Sequence, residues 1–320
     1  MHPAFSVILF TTLSGAGYGL LFWLGVYAIA HLLPADRLFG LAAMMLVFGS
    51  VSVGLLSSTF HLGHPERAWR AFSQWRSSWL SREGVASMTT YIPAAIFGAG
   101  WVFQGRVEGV WASAGLAGAV CAVLTVICTA YIYRSLKPIS NWHNAWVVPN
   151  YVALSAMTGS LLLAMLANLF GASLAGIYEI VLVATIAAFL CKLGYWNYID
   201  NVIPDSTPGT ATGLGRLGKV RLFEAPHTSE NYLMKEMGFR VARKHARKLR
   251  RISAVLAFVL PFVLTATGYA TGGAIAKACM ALAAASALAG VLTERWLFFA
   301  EAKHTVTLYY GRSLNPAHQQ

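Results

Sequence analysis

Eight stretches of about twenty apolar residues, set nearly end to end, limit this chain more than any other feature. They run Phe5–Leu32, Leu38–Phe60, Val85–Gln104, Val110–Tyr133, Asn150–Phe170, Ser173–Trp196, Ile252–Thr271 and Ala274–Phe299. Roughly 20 residues of helix cross the hydrocarbon core of a bilayer. Inside that core every backbone polar group needs an internal partner, so only helices or closed barrels can span it. None of the stretches alternates like a barrel strand. The expected fold is therefore all-α, with residues 1–320 forming one polytopic domain of eight transmembrane helices. Charged residues make up only 11% of the chain, against about 25% in soluble domains. The first stretch is too long for the apolar part of a signal peptide and follows no basic segment, so it is read as a span. Very short gaps at "GAS" and "TGG" predict tight hairpins between spans five and six and between seven and eight. Small-residue runs such as "SGAGYG" (Ser14–Gly19) predict close helix contacts.

The four cysteines, Cys121, Cys128, Cys191 and Cys279, lie in apolar segments without C-x-x-C spacing. They read as small apolar thiols, giving no disulfide framework, zinc site or iron–sulfur cluster in this chain.

Charge sets the expected orientation. Twenty of the basic residues fall on the face that carries both termini, against Arg37, Arg106 and Lys277 on the other. By the positive-inside rule that face is cytoplasmic. The long connection Asn197–Arg251 lies there, opening on Pro- and Gly-rich turns and closing on the basic amphipathic "FRVARKHARKLRR". It serves as a headgroup contact or as a docking insert for a soluble partner. Topology explains a net charge of +12 confined to one face better than nucleic-acid binding does.

Ionisable residues inside the spans are few, namely Glu179, Lys192, Lys277 and Glu294, each placed near a span end. The midplane acids and broken helices of a secondary transporter are thus weakly represented. No histidine pair lies mid-span to hold haem, and no H-E-x-x-H, P-loop or nucleophile elbow is present. Polar groups gather instead at the inner rim: His61 at the end of span two, Glu83 before span three, "SNWHNAW" (Ser140–Trp146) before span five, and Glu294, Arg295 and His304 around the end of span eight. Two readings fit this rim. It anchors helix ends through local hydrogen bonds, or it hydrogen-bonds a quinone carbonyl and passes protons, a task suited to histidine and a nearby carboxylate.

"HLGHPERAW" (His61–Trp69) and "LSREGVAS" (Leu80–Ser87) resemble the membrane-anchor subunits of the dimethyl sulfoxide reductase family of molybdoenzymes. "WHNAWVVPNY" and "ERWLFFAEAKHTV" resemble them more loosely. The resemblance implies a haem-free, quinone-reactive subunit of the bacterial cytoplasmic membrane. Its partners would be a four-cluster iron–sulfur subunit and a molybdopterin catalytic subunit, which hold the metal cofactors. It carries a quinone role to His61 and Glu83, with Arg67, Gly63, Pro65, Ser81, Trp142 and His143 around them. Arg70, Arg76, Arg82, Arg240, Arg243 and Lys244 are the expected partner-docking cations. Dimethyl sulfoxide reductases keep their catalytic subunits outside the membrane, whereas here the charge bias turns the His61 loop inward. That departure favours the related sulfite dehydrogenases, which oxidise sulfite to sulfate, over a dimethyl sulfoxide or polysulfide-type reductase, with a secondary transporter and a purely structural tether as the remaining alternatives.

Overall fold

The computed structural model describes residues 5–60, 64–202, 206–224 and 245–310. Eight helices are long and apolar enough to cross a membrane: α1 (Phe5–Ile29), α2 (Arg37–Thr59), α3 (Trp79–Gln104), α4 (Val110–Arg134), α5 (Val147–Phe170), α6 (Ile177–Asn201), α7 (Ala246–Thr271) and α8 (Gly273–Ala300). The described residues contain no strand. Two-thirds (67%) of the most apolar windows of α1 and α5 is buried inside the protein, against 28% of that of α6. The α1–α5 pair is thus the axis of the bundle, while α6 lies at its outside.

Small residues and polar bridges make that axis. A Cβ on Gly19 would sit 1.8 Å from the Ser155 carbonyl oxygen, and one on Gly159 would sit 2.0 Å from the Gly19 carbonyl carbon. Across the same contact Ser155 Oγ donates to the Gly15 carbonyl at 2.6 Å and Trp23 Nε1 to the Ala156 carbonyl at 2.8 Å. In lipid, where apolar surface gains little by leaving the solvent, such close backbone packing carries association. Gly159→Val should therefore drive α1 and α5 apart, at a cost of at least about 1–3 kcal/mol. The check is the amount of protein recovered intact in detergent, compared with Gly49→Val as a control, since a Cβ at Gly49 on α2 would meet nothing within 4 Å.

Several helices run past the ends of the apolar stretches. α3 begins at Trp79 rather than Val85, with Ser78 capping its first turn. α6 continues to Asn201, and α7 begins at Ala246, within the basic segment. The hairpins are as tight as expected: Gly171 and Gly176 take left-handed backbone between α5 and α6, and Gly272 alone separates α7 from α8. In α7, residues Val255–Val259 widen to i+5 hydrogen bonding just before Pro261. In that register the N–H meant for the Leu256 carbonyl would come from Pro261, which has none. Ser286 Oγ of α8 donates there instead, at 2.8 Å.

Between α2 and α3 the chain forms a 3₁₀ helix, Pro65–Phe72, that folds back so that Phe72 lies 3.2 Å from where a Cβ on Gly84 would sit. A hydrogen bond from Ser57 Oγ to the Ser6 carbonyl sets the end of α2 beside the start of α1. The starts of α1, α3, α5 and α7 and the ends of α2, α4, α6 and α8 accordingly share one end of the bundle, here called the rim end.

Candidate functional site

The first turns of α3 sort their polar residues by environment. Arg82 reaches outward, donating from Nε to the Trp75 carbonyl at 2.9 Å and from Nη2 to the Arg76 carbonyl at 2.7 Å, its guanidinium 4.3 Å over the Trp79 ring. Ser81 is turned inward and donates its hydroxyl to the Ala71 carbonyl of the 3₁₀ helix. Glu83 is buried, 4% exposed, and its Oε1 accepts from Thr129 Oγ1 of α4. No cation pairs with it among the described residues. An acid held in an apolar bundle by a single hydroxyl is expensive and marks a working group.

The other residues read from the sequence spread along the rim end. Arg67 is exposed and lies 3.8 Å from Glu66, which also meets His64 Nδ1 at 2.9 Å. Arg70 and Arg76 each cover the ring of a neighbouring tryptophan, Trp69 and Trp75, at 5.7 and 5.5 Å. Trp69 and Trp75 are themselves largely exposed, as in an interfacial aromatic belt. Trp142 is buried among Tyr133, Phe298 and Phe299, and its indole N–H donates to the Phe298 carbonyl at 3.0 Å. His143 is exposed, with Nδ1 2.6 Å from the Arg134 carbonyl. Pro65 opens the 3₁₀ helix. His61, Gly63, Arg240, Arg243 and Lys244 lie outside the described residues.

A cluster the sequence placed near the span ends proves to be deep in the protein. Lys192 of α6 and Glu294 and Arg295 of α8 are each at most 2% exposed. Lys192 Nζ donates to Glu294 Oε1, and Arg295 Nε lies 2.7 Å from Glu294 Oε2. The Lys192 ammonium sits 4.2 Å over the Tyr195 ring and the Arg295 guanidinium 3.9 Å over the Tyr151 ring. Lys192 looked close to water because the sixth apolar stretch ends at Trp196, but α6 carries it more than two turns from the helix end. About two turns nearer the surface, Arg250 bridges Asp200 at 2.7 Å and Glu301 at 2.9 Å while lying 5.7 Å over Trp196. At Glu301, just past α8, burial pushes the carboxyl up more than Arg250 draws it back. Three cations and three anions thus balance in two neighbouring sets, Lys192–Glu294–Arg295 between α6 and α8 and Asp200–Arg250–Glu301 between α6, α7 and the end of α8.

A cavity between α1, α4, α5 and α8 connects these two sets of groups. Thr129, the donor to Glu83, lines it, and so does Arg295. Its free volume of about 20 Å³ for a water-sized occupant admits water but no aromatic ring. Four buried polar atoms on this cavity, Thr12 Oγ1, Tyr18 OH, Tyr151 OH and Arg295 Nη1, make no well-formed hydrogen bond among the described residues, although Tyr18 faces Ser87 and Tyr151 faces Arg295. No group of three or more His, Cys, Asp or Glu among the described residues is placed to hold a metal ion.

The model of the family described as DMSO reductase anchor subunit (DmsC) matches residues 1–311. The chain belongs to this anchor family. It is 31% identical, over 97% of its own length and 99% of the relative's, to a protein of Allochromatium vinosum named as a subunit of sulfite dehydrogenase. No solved structure matches it. As a DmsC-type anchor it is a multi-pass membrane subunit of an oxidoreductase complex, which agrees with its eight apolar helices.

Proposed function

We propose that this anchor exchanges electrons between a partner iron–sulfur subunit and membrane quinone, in a complex whose molybdopterin subunit oxidises sulfite to sulfate on the cytoplasmic side of a bacterial inner membrane. The observation that carries the reading is Glu83, a buried acid at the rim end of α3, hydrogen-bonded to one hydroxyl and flanked by the segment that follows His61. The A. vinosum relative's name supports sulfite as the electron source, and the basic bias of the rim end supports the side.

Sulfite and water give sulfate, two protons and two electrons; quinone takes two electrons and two protons to become quinol. The quinone supplies the redox chemistry when bound. This chain supplies the proton handling and the binding surface. Glu83 takes up and gives up a proton at its carboxyl, which the Thr129 hydroxyl ties to α4, and His61 hydrogen-bonds a ring oxygen. Leu80 and Met88, both exposed on α3, offer apolar contact for a ring or tail arriving from lipid. Arg67, Arg70 and Arg76, exposed on the 3₁₀ helix and the turn after it, give the partner subunit a cationic face, to which Arg240, Arg243 and Lys244 add.

The test uses the complex purified with its partners. Sulfite should reduce decylubiquinone or a menaquinone analogue in the intact complex, and His61→Ala should lower that rate at least tenfold, within the range of general acid–base effects. Turnover with a soluble dye that accepts electrons before the anchor reports assembly. An intact complex that passes electrons to the dye and never to quinone would overturn the proposal.

A further inference from the structure

We infer that the cavity between α1, α4, α5 and α8 is a one-sided water passage that carries protons between the rim end and Glu83. The inference rests on the quinone reading for its purpose, though the passage itself rests on geometry.

Four orphaned polar atoms share one small cavity. Buried polar groups are almost always satisfied, by protein or by ordered water. Elsewhere on the same walls the hydroxyls do find protein partners: Ser14 donates to the Phe10 carbonyl, Ser155 to the Gly15 carbonyl and Thr158 to the Leu154 carbonyl. Thr12 Oγ1, Tyr18 OH, Tyr151 OH and Arg295 Nη1 make no well-formed protein hydrogen bond, with Tyr18 facing only Ser87 and Tyr151 only Arg295, and all four residues meet the cavity. A site with several polar partners and room for water is one that water occupies.

The ends of the passage are titratable. At one side Thr129 has its hydroxyl on Glu83 and also lines the cavity. At the other, Arg295 lines the cavity and holds Glu294, which holds Lys192. Glu301 acts electrostatically on Lys192, and with Asp200 it holds Arg250 at the rim. A proton entering at Glu301 has Lys192, Glu294 and the Tyr151 hydroxyl as carriers on the way to the cavity water and Glu83, while Arg250 and Arg295 stay charged and hold the acids in place.

The depth of these groups gives the passage its single side. Tyr18 lies about 20 Å along α1 from Phe5, near the middle of the helix. Beyond that level the spans carry charged residues only near their far ends: Arg37 on α2, Glu179 on α6 and Lys277 on α8. Protons for quinone therefore come from, and return to, the rim end alone. Quinone reduction served by this passage consumes two protons from that side and moves none across the bilayer.

Water itself is the probe. In the purified complex, radicals generated from water by short X-ray pulses label buried side chains that touch bound water. Tyr18 and Tyr151 should label at least tenfold faster than Tyr27, which is 2% exposed and donates its hydroxyl to the Ala175 carbonyl. The double variant Thr12→Val/Tyr18→Phe removes two hydroxyls that face the cavity, and Ser87→Ala, which takes away the one side chain facing Tyr18 from α3, is its control. The double variant should slow labelling of Tyr151 and lower quinone-coupled turnover about tenfold. If the hydroxyls are merely dry, the variant should instead be neutral or stabilising. Labelling of Tyr18 and Tyr151 at the Tyr27 rate would overturn the passage, and unchanged turnover in the double variant would overturn the relay. Fast labelling in a complex that never reduces quinone would support the passage while removing the quinone reading.

Discussion

Glu294→Gln should be the most damaging single substitution in the buried network, at about 3–5 kcal/mol, the range for leaving buried charge uncompensated. Glu294 is the one anion between two cations, Lys192 and Arg295, all three at most 2% exposed. Removing its charge leaves an ammonium and a guanidinium facing each other in an apolar bundle. Their contacts with the rings of Tyr195 and Tyr151 do not replace it, because a cation–π contact is worth about 2 kcal/mol even when desolvated. Lys192→Met should be far milder, since it leaves Glu294 and Arg295 as a balanced pair. The double variant Glu294→Gln/Lys192→Met should fall between the two, because it removes one of the two stranded cations. Intact protein in the membrane and the thermal midpoint in detergent, followed by tryptophan fluorescence, give the order. If Lys192→Met proved as damaging as Glu294→Gln, charge balance would not be what holds α6 to α8.

This cluster also marks where the sequence stops being informative. The eight spans are legible because hydropathy is local, and the structure places a helix on every predicted stretch. The helix ends are less so. A turn with a charged residue looks like water from composition alone, yet α3 accommodates Arg82 by turning it back onto the Trp75 and Arg76 carbonyls. The pairing of Lys192 with Glu294 joins residues 102 positions apart, and nothing short-range announces it. The sequence does carry one signal for it: a Glu-Arg dipeptide inside one apolar stretch and a lone lysine inside another. Buried charges seek partners, so two such interruptions on different spans predict that the spans touch. The orphaned hydroxyls give no signal at all. Thr11 and Thr12 are neighbours in α1, but Thr11 donates to the Val7 carbonyl while Thr12 has no partner among the described residues. Only the packing of α1 on α4, α5 and α8 distinguishes them.

Glu83→Gln should lower quinone-coupled turnover by about 10²–10⁴-fold, the usual worth of a general acid–base group, with little change in folding. Glutamine has the shape of glutamate and can still accept from Thr129, so the contact between α3 and α4 survives. What it loses is the ability to give up and regain a proton. Glu83→Asp, which keeps the carboxyl but shortens its reach to Thr129, should recover part of the rate. Thr129→Val should fall between wild type and Glu83→Gln, because it removes the one hydroxyl that joins the carboxyl to the cavity. Initial rates of decylubiquinone reduction, divided by dye-coupled rates of the same preparation, isolate the anchor's share. A glutamine variant with full quinone-coupled turnover would reduce Glu83 to a packing residue. The contrast with Glu294 separates the two buried acids by the kind of damage each causes. Glu294 is enclosed by two cations, so losing its charge should be read in stability; Glu83 has none, so losing its proton should be read in rate.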